Sequence, residues 1–370
     1  MTNRRIISII LCVFLCLGLI GCADSGSTPS TGSSSQTEPA DTGKSTGNTI
    51  YLYGEVHSRH YIIALELQLW QTYYHEYGMR HLFIEAAYYS AQMMNMWMHA
   101  EDDTILDQLF DAWEGTQAAS DVYRNFYKTI KETCPETVFH GTDVGHQYST
   151  HGYWYRDYLQ EQGLTETEEY RLTLEAIEQG RIYYEESDQP YVYRENTMVE
   201  NFIREYDSLN GESIMGIYGS AHTDLFALNF SKECPCMGRQ LKAYYGDIVV
   251  SEDLYPRALQ EAKPLRTETI EINGKSYTAE YFGLLEISAN NPEYLYMEFW
   301  HIVDAYEDFC NGFNTGTRLD QNKYPMLLQK DQAYAIRYTD IHGKTRMEYY
   351  ICTGKYSKGE LYTIEVTFDQ

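Results

Sequence analysis

Four short segments of this 370-residue chain set ionisable side chains directly behind apolar runs. Gly54-Glu55-Val56-His57 comes first and is followed by Ser58-Arg59-His60; Glu85 stands directly after Leu82-Phe83-Ile84. Gly141-Thr142-Asp143 comes next, with His146 close by, and Gly219-Ser220-Ala221-His222 closes the series. Carboxylates beside imidazoles serve general acid–base chemistry. An imidazole changes charge near neutral pH, and a neighbouring carboxylate fixes its tautomer. Glycines at these points let backbone approach a ligand. Nine of the 11 histidines fall between His57 and His222, so the histidines concentrate where the acids do.

The elements that must position these groups are legible as short runs. Ile50–Tyr53, Leu82–Ile84, Thr137–Phe139, Ile214–Tyr218 and Ile248–Val250 are continuously apolar, as strands covered on both faces of a parallel sheet are. Between them, Tyr61–Tyr77, Asp121–Glu132 and Thr165–Glu185 have helical spacing, with Ile62, Leu65, Leu69 and Tyr73 near one face of the first. Alternation of this kind predicts an α/β fold over residues 49–254, a mostly parallel sheet flanked by helices. In such a sheet ligands bind at the carboxyl ends of the strands, where the four segments stand. Glu55 and His57 are two residues apart in extended chain, so both side chains can face one pocket.

Residues 265–370 read as a small α+β domain. Ile272-Asn273-Gly274-Lys275 and Ile341-His342-Gly343-Lys344 are hairpin signals. A helix is expected from Asn291-Pro292-Glu293, with Leu295, Phe299, Ile302 and Tyr306 on one face.

The N-terminus speaks to compartment. Arg4 and Arg5 precede an apolar run from Ile6 to Ile20, too short for a confident membrane span and shaped like a signal peptide, residues 1–21. It closes on Leu19-Ile20-Gly21-Cys22, which resembles a bacterial lipobox, with Cys22 as the lipidated residue and so the anchor to an extracytoplasmic membrane face. Residues 22–48 are Ser, Thr, Gly and Pro with polar residues, a flexible tether. Within it, Gly43-Lys44-Ser45-Thr46-Gly47 matches the serine-hydrolase pattern without the strand that pattern needs. Cys134, Cys234, Cys236, Cys310 and Cys352 are an odd five and make no disulfide framework.

Charge narrows the partners. The chain carries a formal −26; beyond the two leader arginines it has 26 basic and 54 acidic side chains, a charge of −28. That field repels phosphate backbones and excludes a nucleic-acid role, and it favours neutral or cationic small-molecule or peptide substrates. The 36 tyrosines either roof a core or line a broad cleft; Tyr73, Tyr74, Tyr77, Tyr88, Tyr89, Tyr183 and Tyr184 stand at helix-surface spacing.

Gly54-Glu55-x-His57, the strand-borne Glu85 and Gly219-x-x-His222 resemble the superfamily that joins erythromycin esterases, ChaN haem-binding lipoproteins and TraB/Tiki proteins. Gly141-x-Asp143, the Arg194-Glu195-x-x-Met198-x-x-Asn201 segment and Met237-Gly238-x-x-Leu241 are similar to its further motifs, the last to the esterase branch. The resemblance spans residues 49–250 and lies in the order and spacing of these motifs. It implies a hydrolase-like site in which His57 is general base and Glu85 orients it or its water. An imidazole largely neutral at pH 7 can take a proton from water, which would then attack an ester, lactone or amide carbonyl. Arg59 or His222 would stabilise the oxyanion. Arg194, Gly219, His60 and His146 are candidate substrate contacts, Arg194 equally a structural partner of Asp143. His57, Glu85 and His222 also form a candidate set for Zn, Mn or Fe, the Tiki-like branch being metal-dependent. The ChaN branch implies the alternative of haem or small-ligand binding without catalysis, with Tyr and His as haem ligands.

Overall fold

The structure is a computed structural model that describes residues 48–287 and 293–368. The leader, Cys22, the tether as far as Gly47, and Asn291 and Pro292 lie outside the described residues.

The apolar runs form the strands they predict. Strand β1 (Ile50–Glu55) leads into helix α1 (His60–Tyr77). Strand β2 (His81–Ala87) is followed by α2 (Tyr88–Met98), α3 (Thr104–Ala112) and α4 (Asp121–Thr133). Then come β3 (Val138–Asp143), α5 (Tyr153–Glu161), α6 (Glu168–Arg181) and α7 (Pro190–Asp207), with proline in the first turn of α7. Strand β4 (Ile214–Gly219), the single turn α8 (Ser220–Thr223), α9 (Met237–Tyr245), β5 (Val249–Asp253) and α10 (Leu254–Glu261) complete this part.

The five strands are parallel in the order β3-β2-β4-β1-β5. All six residues of β4, the central strand, are buried, which explains why its sequence is continuously apolar rather than alternating. The order decides the geometry of the site. Because β4 lies between β2 and β1, its last residue, Gly219, ends up between Glu85 of β2 and Glu55 of β1, and Gly219 is the register partner of Glu55.

Beyond α10 the chain is almost all β. Strands β6 (Arg266–Ile272), β7 (Lys275–Glu286) and β8 (Tyr294–Ile302) precede a one-turn helix, α11 (Tyr306–Phe309). Strands β9 (Phe313–Asp320), β10 (Gln332–Asp340), β11 (Thr345–Cys352), β12 (Tyr356–Ser357) and β13 (Glu360–Thr367) follow. They form an antiparallel sheet ordered β12-β13-β11-β10-β8-β7-β6, with β9 against β13. Both expected hairpins are present, as β6–β7 and β10–β11.

In place of the helix expected with Leu295, Phe299, Ile302 and Tyr306 on one face, the chain is strand β8 as far as Ile302, and Tyr306 opens the single turn α11. Met297 and Phe299 face the large core shared with the parallel-sheet part, whereas Trp300 and Ile302 face a second core on the other side of the sheet. A strand buried on both faces loses its alternation and imitates a helical stripe; its aromatic content was the better guide.

The shared core is continuous. Leu285, Met297, Phe299, Tyr334 and Tyr350 of the antiparallel sheet belong to the same buried cluster as Tyr61, Ile62 and Trp70 of α1. Of the tyrosines singled out by spacing, Tyr74, Tyr88 and Tyr89 are buried in this core and Tyr73 packs against it, whereas Tyr183 is buried outside it and Tyr184 is exposed. No disulfide joins the five described cysteines. Among the described residues, no helix is long and apolar enough to cross a membrane.

Candidate active site

At the end of β1, Glu55 is buried, and its Oε1 lies 2.6 Å from Nδ1 of His57. Ser58 takes a left-handed conformation (φ 61°), uncommon for a residue with a side chain, and its hydroxyl donates to the carbonyl of Gln117 at 2.7 Å. This turn stops the strand and leaves the imidazole folded over Glu55. Tyr123, from α4, donates its hydroxyl to the same Oε1 at 2.5 Å. A carboxylate held by two donors orients the ring firmly and leaves Nε2 as the free edge of His57.

That free edge faces β2. Nε2 of His57 is 3.9 Å from Oε2 of Glu85, beyond hydrogen-bond distance. Glu85 is instead fixed by Gly219, whose backbone N–H donates to Oε2 at 2.5 Å, and by Arg194, whose Nη2 donates to Oε1 at 2.5 Å. Arg194 also donates through Nε to Oδ1 of Asp143 at 2.9 Å and through Nη2 to Oδ2 at 2.7 Å. Asp143 in turn lies 3.1 Å from Nε2 of His146, whose Nδ1 is 2.5 Å from the hydroxyl of Tyr184.

His222, on the turn after β4, approaches Glu85 from the opposite side, its Nε2 3.7 Å from Oε1. Its Nδ1 is held 2.9 Å from Oε2 of Glu195, and Oε1 of Glu195 accepts the backbone N–H of Met237 at 2.5 Å. The result is an alternating row of charges, Glu55–His57–Glu85–His222–Glu195, with Arg194 and Asp143 cross-linking its middle. Helix α7 presents Glu195, Met198 and Asn201 as one buried face, which is why the Arg194–Asn201 segment has its spacing.

The row sets the protonation of its members. Burial disfavours charge on His57, but Glu55, by charge and hydrogen bond, and then Glu85 outweigh it and raise the imidazole to about 9. Burial likewise opposes charge on His222, and Glu85 and Glu195 overcome it and raise that imidazole too. For Glu85, burial is outweighed by His222, Arg194 and His57, which together hold the carboxyl down to about 2. Asp143 is held far below the usual range against its burial, chiefly by Arg194. At neutral pH His57 therefore rests as a cation, a departure from the neutral His57 expected from an unperturbed side chain. When His57 loses a proton, the one on Nδ1 stays with Glu55 and the one on Nε2 leaves. The ring then presents a basic nitrogen to the space beside Gly219 and Glu85.

Thus His57, Glu55, Glu85, His222, Asp143, Arg194, Gly219 and His146 converge. The partner that orients His57 is Glu55 rather than Glu85, because the strand order puts Glu85 on the far side of the ring. Two expected members are elsewhere. Arg59 precedes α1, where its carbonyl accepts from Ile62 and Ile63, and its charge is felt by His60, Tyr61 and Tyr255. His60 donates from Nε2 to the carbonyl of Phe282 in β7, 2.8 Å away, and packs over Gly283, whose φ of 105° and missing side chain admit the ring. His60 therefore fastens the two sheets together. Arg194, for its part, commits its Nε and Nη2 donors to Asp143 and Glu85, as a structural partner of Asp143 does.

The proposed metal set does not fit. Both oxygens of Glu85 already accept short hydrogen bonds, one from a guanidinium whose charge repels a cation. Among the described residues no three His, Cys, Asp or Glu side chains converge as metal ligands. The free Nε2 atoms of both site histidines face Glu85.

Tyr123, Glu195 and Glu66 were not foreseen as members of the site. Glu66 lies in the row Ile62–Glu66–Trp70–Tyr74 on the buried face of α1, and a glutamate in that i, i+4 row is a signal readable in sequence. Glu195 stands in the α7 motif beside Arg194; Tyr123, one of 36 tyrosines, had no distinguishing neighbourhood.

Comparison with known proteins is sparse: no family model matches the chain, and no curated protein does. Three solved structures show a distant likeness. A Bacillus cereus protein is 13% identical with a TM-score of 0.41 over 55% of this chain and 65% of its own, so the chain spans just under two thirds of it. An erythromycin esterase mutant in its open conformation is 10% identical, with a TM-score of 0.43, covering 63% of this chain and 76% of its own. A succinoglycan biosynthesis protein is 14% identical, with a TM-score of 0.41, covering 63% and 71%. At TM-scores below 0.5 these likenesses carry no argument about what the chain does.

Proposed function

We propose that this protein is a hydrolase in which His57 activates water against an ester, lactone or amide carbonyl. The supporting observation is the 2.6 Å contact between Nδ1 of His57 and a buried Glu55, which fixes the tautomer and leaves Nε2 as the base. Raised to about 9, neutral His57 is a stronger base than free imidazole; about 1% of molecules hold it neutral at pH 7. Hydrolysis is therefore expected to rise with pH toward 9. His222, on the other side of Glu85 and with its imidazole raised by Glu85 and Glu195, would stabilise an oxyanion in place of Arg59. The resemblance to the erythromycin esterase branch agrees with this chemistry and leaves the substrate unnamed. The −26 charge favours a neutral or cationic one. A lipid anchor at Cys22, outside the described residues, belongs to the same proposal and would hold the protein on an extracytoplasmic membrane face.

The test is turnover on a panel of chromogenic esters and lactones from pH 6 to 10, with wild type against His57→Ala. Full turnover by the variant would sink the proposal.

A further inference from the structure

Behind Glu55 lies a second acid that the mechanism above does not use. Glu66, in the middle of α1, is fully buried. Among the described residues other than these two acids, no N–H or O–H donor reaches either of its oxygens, nor the Oε2 of Glu55, and all three atoms are buried. The two carboxyl groups face each other within hydrogen-bond reach. Tyr123 and Tyr127 of α4 are the other titratable side chains that sense Glu66; both stay neutral, burial being the largest cause and Glu55 the next. No cation faces Glu66: Arg194 lies on the far side of His57, with Glu85 and Asp143.

Two ionised carboxylates cannot sit side by side here, because like charges in a buried interior repel strongly and the one neighbouring cation, His57, bonds Glu55 and not Glu66. The pair must hold one proton. Glu55 already accepts from Tyr123 and from His57, which favours keeping the negative charge on Glu55. The proton therefore sits on Glu66, where burial first and Glu55 second push the carboxyl well above its usual range.

We propose that Glu66 is a buried carboxylic acid whose O–H donates to Oε2 of Glu55, and that it is a positioning residue for the Glu55–His57 pair. With that bond made, both oxygens of Glu55 accept hydrogen bonds, the carboxylate cannot rotate, and part of its charge is drawn away from His57. Glu66 thus moderates how tightly His57 holds its proton. The role rests on the hydrolase reading for its use in catalysis, but the hydrogen bond can be tested without any substrate.

Two measurements on the intact protein decide it. Infrared difference spectroscopy at pH 7 should show the C=O stretch of a protonated carboxylic acid in wild type and its loss in Glu66→Gln. NMR titration of the His57 ring should give the same midpoint in Glu66→Gln, whose amide N–H replaces the O–H donor. In Glu66→Leu the donor is gone, and the midpoint should rise by on the order of one pH unit. A lower midpoint in Glu66→Gln would mean that Glu66 is ionised, and an absent infrared band would mean the same; either overturns the proposal. Unchanged midpoints in both variants would also overturn it. If Glu66→Leu does not fold, the Glu66→Gln midpoint and the infrared band still decide. Failure of all ester turnover alongside these expected signals would remove the hydrolase reading and leave the carboxyl pair standing.

Discussion

Nδ1 of His57 and Oε1 of Glu55 lie 2.6 Å apart, although only one residue separates them in sequence. The contact exists because β1 is still extended at Glu55, which puts both side chains on one side, and because Ser58 then reverses the chain. Everything proposed for the site depends on this pair.

Replacing Glu55 with Gln keeps an oxygen for Nδ1–H to bond but removes the charge. His57 should then titrate well below about 9, moving toward the 6.5 of a free imidazole, with Glu85 preventing a complete return. Hydrolysis at its optimum should fall roughly 10²–10⁴-fold, as when a general base loses its orienting carboxylate. NMR titration of His57 beside steady-state turnover checks both; an unmoved midpoint would refute the account of what raises His57.

Stability should depend on pH in two separate windows. His57 is raised by folding, from 6.5 to about 9, so its contribution is complete below pH 6.5 and is lost as pH climbs through 9. Glu85 is lowered by folding, from 4.5 to about 2, so its contribution is complete above pH 4.5 and is lost as pH falls through 2. From these two groups a plateau is expected between about pH 4.5 and 6.5. Thermal melts at fixed ionic strength measure it, and Glu85→Gln should flatten the acid limb and, because Glu85 helps raise His57, soften the alkaline limb to a lesser extent.

The sheet and the rim were legible because their signals are local. A central strand buried on both faces is continuously apolar, and the residue after it stands at the strand's carboxyl end, so Glu55, Glu85, Asp143 and His222 could be placed from their neighbours alone. Partnership was not legible. Which acid meets His57 depends on β4 lying between β1 and β2, a long-range fact that no spacing encodes, and the sequence therefore favoured Glu85 over Glu55. His60 looked like a site residue because it follows His57 closely, yet the first turn of α1 swings it onto β7. Strand β8 failed for the complementary reason: its two faces enter two cores, so its pattern looked helical.

Arg194 carries the structural burden of the rim, and removing it should be costly. Arg194→Met leaves Asp143 and Glu85 close together and uncompensated, a situation that typically costs about 3–5 kcal/mol. The double variant Arg194→Met with Asp143→Leu removes one of the stranded charges and should recover part of that loss. Urea unfolding of the three proteins measures the cost, and a single-variant loss below about 1 kcal/mol would contradict the pairing described.

Gly219 is the sharpest probe of the space beside Nε2. Its backbone φ of −52° and ψ of 136° suit any residue, so glycine is not needed there for conformation. A Cβ at that position would come 3.0 Å from Nε2 of His57 and 3.3 Å from Oε2 of Glu85, filling the gap where water must stand to meet the base. Gly219→Ala should therefore retain a wild-type fold and most of its stability, while turnover falls by at least about tenfold, since misplacement of reacting groups by a fraction of an ångström is expensive. Because the methyl group displaces water rather than altering the charges around His57, the NMR midpoint of His57 should stay near its wild-type value. Lost turnover with an unmoved midpoint assigns the effect to that space; lost turnover with a shifted midpoint would assign it to Glu85 and the charge row instead.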